Sequence, residues 1–276
     1  MAASRLQDRS FEDEAVEEVT RLQWSSDGWT RSNDLLVKEE PIEIRIDGAP
    51  IAVLMRTPGH DEELVRGFLL TERIAAERGQ IASIRSCDVV DLPEAEGNVF
   101  RVRLRADADF DLTRFRRNMF ASSSCGICGK ASVEQALVTA SPFDSSPRWS
   151  MSELLEWGPR MRTQQTVFEQ TGGLHAAAAF DAEGALMSVR EDVGRHNAVD
   201  KVVGAATGPI GGLAVSGRLS FEIVQKALAA RIQTVVAVSA PSALAVKLAE
   251  ASRMLLVGFA RGDRAAVYAG RRYLEN

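Results

Sequence analysis

Two of the three cysteines in this 276-residue chain lie within Ser122-Ser123-Ser124-Cys125-Gly126-Ile127-Cys128-Gly129-Lys130. Cys125 and Cys128 are each followed by glycine, so a bulky partner can approach the sulfur closely. Thiols at this spacing can share a disulfide, a metal ion or a transferable sulfane sulfur. A structural zinc site needs four ligands, and the chain offers no second cysteine pair, only His175 and His196 as possible completions. A dithiol redox pair is chemically reasonable, although the thioredoxin arrangement places its pair directly after a strand. Two core-facing structural cysteines would be the plain alternative. Sulfur relay fits best: one thiolate accepts sulfur as a persulfide and the second helps receive or release it. Lys130 and the basic run 114–118 favour the thiolate.

Five other segments carry residues suited to holding a ligand. Thr171-Gly172-Gly173-Leu174-His175 combines two glycines with an imidazole, which means either a close backbone approach or a turn into a strand. In Glu191-Asp192-Val193-Gly194-Arg195-His196-Asn197, a strand passes into a helix whose free N–H groups would welcome an anion. Helix capping by Asp192 or Asn197 is the plain alternative there. Ser216-Gly217-Arg218-Leu219-Ser220 repeats that arrangement, and Ser239-Ala240-Pro241-Ser242 repeats it without an arginine. Finally, Gly258-Phe259-Ala260-Arg261-Gly262-Asp263-Arg264 offers two guanidiniums for phosphate and flat groups for a base, or else a charged β-turn.

The elements that must position these residues divide into two sets. Residues 1–18 read as a solvated acidic tail without an apolar signal core. Over 19–118 the pattern predicts a small α+β domain. Ile42, Ile44 and Ile46 alternate towards an Asp47-Gly48 hairpin turn, a helix opens at His60-Asp61-Glu62-Glu63, and strands follow over 81–90 and 99–105. Phe100, Val102 and Leu104 should face inward. Residues 119–149 form the cysteine loop, a short helix over 131–138 and a connector. Over 150–276, five strand-like runs alternate with helical ones, which predicts a mostly parallel sheet covered by helices. The long helix starting near Ser150 should kink or divide at Pro159. A composition of 45% hydrophobic and 26% charged residues with net charge -5 is that of a globular chain with no general pull toward nucleic acid or membrane. Three cysteines make no secreted disulfide framework, so a cytoplasmic location is expected.

Taken together, Cys125-Gly-Ile-Cys-Gly, Thr171-Gly-Gly-Leu-His, Glu191 through Lys201 and Ser216-Gly-Arg-Leu-Ser resemble the FdhD/NarQ family of formate dehydrogenase accessory sulfurtransferases. The resemblance covers nearly all of the chain after the first thirty or so residues. It implies an α/β protein whose three-layer C-terminal domain is cytidine-deaminase-like. It further implies a sulfur carrier that takes sulfur from a cysteine desulfurase. The sulfur would pass to the molybdenum (or tungsten) bis(molybdopterin guanine dinucleotide) cofactor before insertion into the formate dehydrogenase apoenzyme. Cys125 would carry the persulfide and Cys128 would assist. Phe259, Ala260, Arg261, Gly262, Asp263 and Arg264 would bind the cofactor as cargo, with Arg195, His196 and Arg218 lining the same cavity. No resident metal is implied, and a homodimer is. Deaminase chemistry does not follow from the fold, because neither His175 nor His196 begins H-x-E and the cysteine pair precedes both. A cofactor-binding chaperone that moves no sulfur is the alternative of another class, with a redox or zinc module third.

Overall fold

The computed structural model describes residues 10–87, 97–111, 141–144 and 148–275. The basic run 114–118, the cysteine loop 122–130 with Cys125 and Cys128, and the helix expected over 131–138 lie outside the described residues.

The N-terminal unit is a four-stranded sheet under one helix. Strands β3 (Glu40–Ile46) and β4 (Ala49–Arg56) are joined at Asp47-Gly48, both with positive φ, the conformation this two-residue turn demands. With β5 (Ile81–Ser86) and β6 (Val99–Leu104) they form the order β4-β3-β6-β5. Helix α2 (Asp61–Thr71) lays Leu64, Val65, Phe68 and Leu69 on Ile42, Ile44, Phe100 and Val102, as the alternation predicted.

The second unit is a six-stranded sheet, β12-β11-β10-β9-β7-β8. Its strands are β7 (His175–Phe180), β8 (Leu186–Asp192), β9 (Gly212–Val215), β10 (Thr234–Ala237), β11 (Leu255–Arg261) and β12 (Arg264–Ala269). Among the described residues only the β9–β10 and β10–β11 pairings are parallel, so the sheet is mixed rather than mostly parallel. The links from β7 to β8 and from β11 to β12 are too short for a crossover and can close only antiparallel pairs. Side chains alternate between two cores. Ala177, Leu213, Val235 and Leu256 face α5 (Arg195–Ala205), α6 (Phe221–Ala229) and α7 (Ala243–Ala251). Ala178, Ala214, Val236 and Val257 face α3 (Met151–Arg162), which gives three layers. A Ser150–Glu153 capping box starts α3, and Trp157 stacks on Phe180 at 4.4 Å, where Gly212 leaves room for its ring. The helix continues through Pro159 and ends at Arg162, before the short α4 (Thr166–Thr171).

The described part of the expected tail, residues 10–18, is instead built into the fold. Helix α1 (Phe11–Ala15) leads into β1 (Val16–Ser25), which pairs with β2 (Gly28–Val37) as a ten-residue ribbon. Its base packs on α4 through Val16, Val37 and Phe168, and its tip exposes Trp24 (66%) and Trp29 (70%) as a cross-strand pair. Among the described residues the ribbon pairs with no other strand, and it is open to solvent, so its sequence has no apolar alternation to read.

The two units are bolted together where α2 crosses α5. A Cβ at Gly67 would lie 1.7 Å from the Asp200 carbonyl oxygen, and one at Gly204 1.7 Å from that of Glu63, so only glycine permits this approach. Around the crossing, Lys226 Nζ donates to Asp200 (2.8 Å) and Glu72 (2.9 Å), while Thr71 Oγ1 donates to Asp200 at 2.7 Å. Burial disfavours the Lys226 charge, but Asp200 and Glu72 outweigh it and hold its pKa above the usual lysine value.

A cavity at the carboxyl edge of the sheet

At the edge where β9, β10 and β11 end and β7 begins, a cavity of about 660 Å³ opens between the sheet and helices α3 and α4. Gly158, Pro159, Met161 and Arg162 of α3 form one wall, and Gln165, Phe168 and Gly172 continue it. The floor comes from strand ends: Leu174 and His175, Ser216, Val238, and Ala260 to Gly262. Strand ends gather here because the three parallel strands share one direction, the arrangement that puts ligand sites at the carboxyl edge of α/β sheets.

Local rules explain how each motif reaches this edge. Gly172 ends α4 in the left-handed conformation (φ 67°) that a helix C-terminus favours, turning the chain into β7. Ser216 Oγ accepts the N–H of Ala176 at 2.8 Å, which ties β9 to β7 beneath the cavity. At the end of β11 the ladder slips between Gly258 and Arg261, and Phe259 adopts φ 53°, a strained value for a residue with a side chain. The bulge buries Ala260 and brings Arg261 Nε to 2.6 Å from the Val238 carbonyl oxygen.

Of the ligand-binding residues expected from sequence, Ala260, Arg261 and Gly262 line the cavity. Phe259 is exposed beside Tyr268, while Asp263 and Arg264 stand almost fully in solvent outside it. Arg195, His196 and Arg218 are not among its walls. Arg195 and His175 both come within 4 Å of where a Gly217 Cβ would stand, so Arg195 adjoins the cavity through His175, and its Nε is buried without a hydrogen bond among the described residues. His196 Nε2 is engaged 3.3 Å from Glu222; that hydrogen bond, partly opposed by burial, is what holds the Glu222 carboxyl down to about 2. Arg218 is exposed.

The remainder of the Glu191–Lys201 motif is structural. Glu191 accepts the N–H groups of Val167 and Phe168 at the start of α4. Asp192 accepts from Gly194, Asn197 and Thr57, and its other partner, Lys201, is fully buried at 2.8 Å. The capping alternative does not hold: the helix N-cap is Gly194, where no side-chain cap hydrogen bond forms, and the buried Asp192 braces the turn and the other unit instead. His175 joins the cavity as a half-buried imidazole. Burial first, then Arg195 and His196, hold its pKa below the ordinary value, so it is neutral at pH 7. Arg162, Met161 and Phe168 were not identified as site residues from sequence. Their signal was the amphipathic helix itself, which does not tell core from cavity.

The cavity combines apolar and cationic walls at the edge of a three-layer α/β unit, the kind of lining that small-molecule sites have. The FdhD/NarQ family profile matches residues 37–275, and the chain belongs to that family. It is 48% identical over 255 residues to a Mycobacterium tuberculosis protein named sulfur carrier protein FdhD, spanning 87% of this chain and 91% of that one. A Streptomyces coelicolor protein of the same name is 47% identical over 257 residues, covering 86% and 88% of the two chains. The crystal structure of a proposed formate dehydrogenase accessory protein from Desulfotalea psychrophila superposes with a TM-score of 0.73 at 20% identity. It covers 95% of this chain and 100% of its own, and it shows the fold. Among the described residues no helix is long and apolar enough to cross a membrane.

Proposed function

We propose that this chain is a cytoplasmic sulfur carrier of formate dehydrogenase maturation, acting on a bound molybdenum bis(molybdopterin guanine dinucleotide) cofactor. The relatives named sulfur carrier protein FdhD support the sulfur-carrier half of the reading, and the cavity is the observation that carries its cofactor-binding half. Separate sequence motifs deliver His175, Ser216 and Arg261 to one edge, beside an apolar wall of Pro159, Met161 and Phe168. A flat base suits that wall, and Arg162 and Arg261 suit phosphate oxygens. Arg195, Arg218 and Arg264 stand further out, where a long dinucleotide cargo would extend.

In the proposed cycle the Cys125 thiolate attacks the terminal sulfur of a persulfide on a cysteine desulfurase. The donor's S–S bond breaks, its thiolate leaves, and Cys125 becomes the persulfide, with no net redox change. Attack by the Cys128 thiolate on Cys125 Sγ then forms a disulfide between them and releases the outer sulfur as hydrosulfide to the cargo, and thiol–disulfide exchange with an external dithiol reductant returns both thiols for the next round. The cofactor passes to the formate dehydrogenase apoenzyme, and the working form is a homodimer. The cavity equally favours a chaperone that holds the cofactor without moving sulfur, and one experiment separates the two. Intact-protein mass spectrometry after incubation with an active cysteine desulfurase and cysteine should show one added sulfur, lost in Cys125→Ala. Loss only in Cys128→Ala would move the persulfide to the second thiol. No added sulfur in the wild type would overturn the relay and leave the chaperone.

A further inference from the structure

The opposite edge of the same sheet carries a second concave site, about 590 Å³, lined by Asp144, Arg148, Arg253, Arg272 and Tyr273. We propose that it binds a phosphoryl group, independently of what the cavity at the carboxyl edge carries. Its three guanidiniums come from three chain segments, each set beside a buried anchor. Arg148 precedes Trp149, which is buried and bridged to Leu274. Arg272 and Tyr273 belong to the short turn Arg271–Tyr273 just before Leu274, and the Trp149 N–H donates to the Tyr273 carbonyl oxygen. Arg253 follows α7 in the left-handed conformation (φ 59°), one residue before the buried Met254.

The side chains are also arranged for an anion. Arg272 lies over the Tyr273 ring at 4.8 Å and its Nη2 donates to Tyr273 Oη at 2.9 Å. With its oxygen accepting, the Tyr273 hydroxyl keeps its own proton free to donate outward. The sole carboxylate in the lining, Asp144, is 98% exposed and 3.7 Å from Arg253, too loose and too wet to neutralise three cations. Arg148 and Arg272 have no carboxylate partner among the described residues. A carboxylate is satisfied by one bidentate arginine, whereas a phosphoryl group has three peripheral oxygens to share among several guanidiniums and a hydroxyl.

Isothermal titration calorimetry with inorganic pyrophosphate, and separately with citrate at matched ionic strength, tests this. The wild type should bind pyrophosphate. Arg148→Gln and Arg272→Gln should each weaken that binding about tenfold, as expected for losing one charge-assisted contact. Arg103→Gln, at an exposed position of β6 in the other unit, should leave the binding unchanged. Absence of binding, equal weakening in Arg103→Gln, or citrate binding as tightly as pyrophosphate would each overturn the assignment. All three arginines are exposed, so the variants are expected to fold, which circular dichroism checks.

Discussion

The seam between the two units and the cavity at the carboxyl edge use the same residue types to opposite ends. At the seam the buried Asp192 pairs with Lys201 and the buried Asp200 with Lys226, and Thr57, Thr71 and Glu72 of the other unit join them. At the cavity, Arg261 is exposed with a single backbone contact and Arg195 keeps a buried nitrogen unpaired among the described residues. Charges that are satisfied internally hold a fold together, whereas charges left with spare hydrogen-bonding capacity are available to a ligand. Chain position does not separate the two classes, since Asp192 and Arg195 are three residues apart.

The comparison breaks most readily at Lys226. Lys226→Met removes one member of a buried charged cluster and leaves Asp200 and Glu72 without their cation, which should cost about 3–5 kcal/mol. Urea unfolding monitored by circular dichroism measures it. A cost below about 1 kcal/mol, the range of exposed ion pairs, would mean that the seam is no more internally bound than the surface. Next in size is Gly204→Ala. The added methyl must push α5 off the Glu63 backbone, at about 1–3 kcal/mol for an overpacked contact. The same change at Gly208, whose surroundings are open, should be nearly silent, and equal effects at the two would remove the argument for a tight crossing.

The sequence made some of this legible and hid the rest for physical reasons. Alternation at Ile42, Ile44 and Ile46 and the unbroken apolar run Val235-Val236-Ala237 report burial on one face or on two, a local property. The glycine and arginine loops were rightly placed at strand ends, and Arg261 was found there. What stayed hidden depends on distance along the chain. Asp200 looks like a surface charge until Thr71, 129 residues earlier, and Lys226 close around it. The β1–β2 ribbon was missed because burial is the signal that periodicity reads. Arg162 and Phe168 were missed because a helix shows which residues are apolar but not whether they face a core or a cavity.

Between seam and cavity stands the His196–Glu222 pair, and acid titration sharpens where it belongs. The folded Glu222 pKa is depressed to about 2 by its hydrogen bond with His196. Its contribution is therefore fully present above the unfolded value, near 4.5, and is lost as pH falls toward 2. His196→Ala should be less stable than wild type at pH 6, with the gap closing between pH 4.5 and 2. Because both groups are partly in solvent, the gap should be smaller than for any change at the seam. Thermal unfolding across that range measures it, and a gap independent of pH would assign His196 to packing instead.

The smallest stability effect belongs to Arg261, and it is the prediction on which the cavity depends. Arg261 is exposed and, among the described residues, makes one hydrogen bond, to the Val238 carbonyl oxygen, which water can replace. Arg261→Gln should then change stability by no more than about 0.5 kcal/mol, as for an ordinary surface substitution. Binding of a guanine nucleotide at the carboxyl edge should weaken at least tenfold if this guanidinium meets a phosphate. Denaturant titration and calorimetry on the same preparation give both numbers. A large stability loss with binding intact would make Arg261 another bolt, like Lys226. Unchanged stability with unchanged binding would move the phosphate contact elsewhere, and Arg162, on the facing wall, would be the residue to change next. Only a loss of binding without a loss of stability keeps the seam and the cavity distinct.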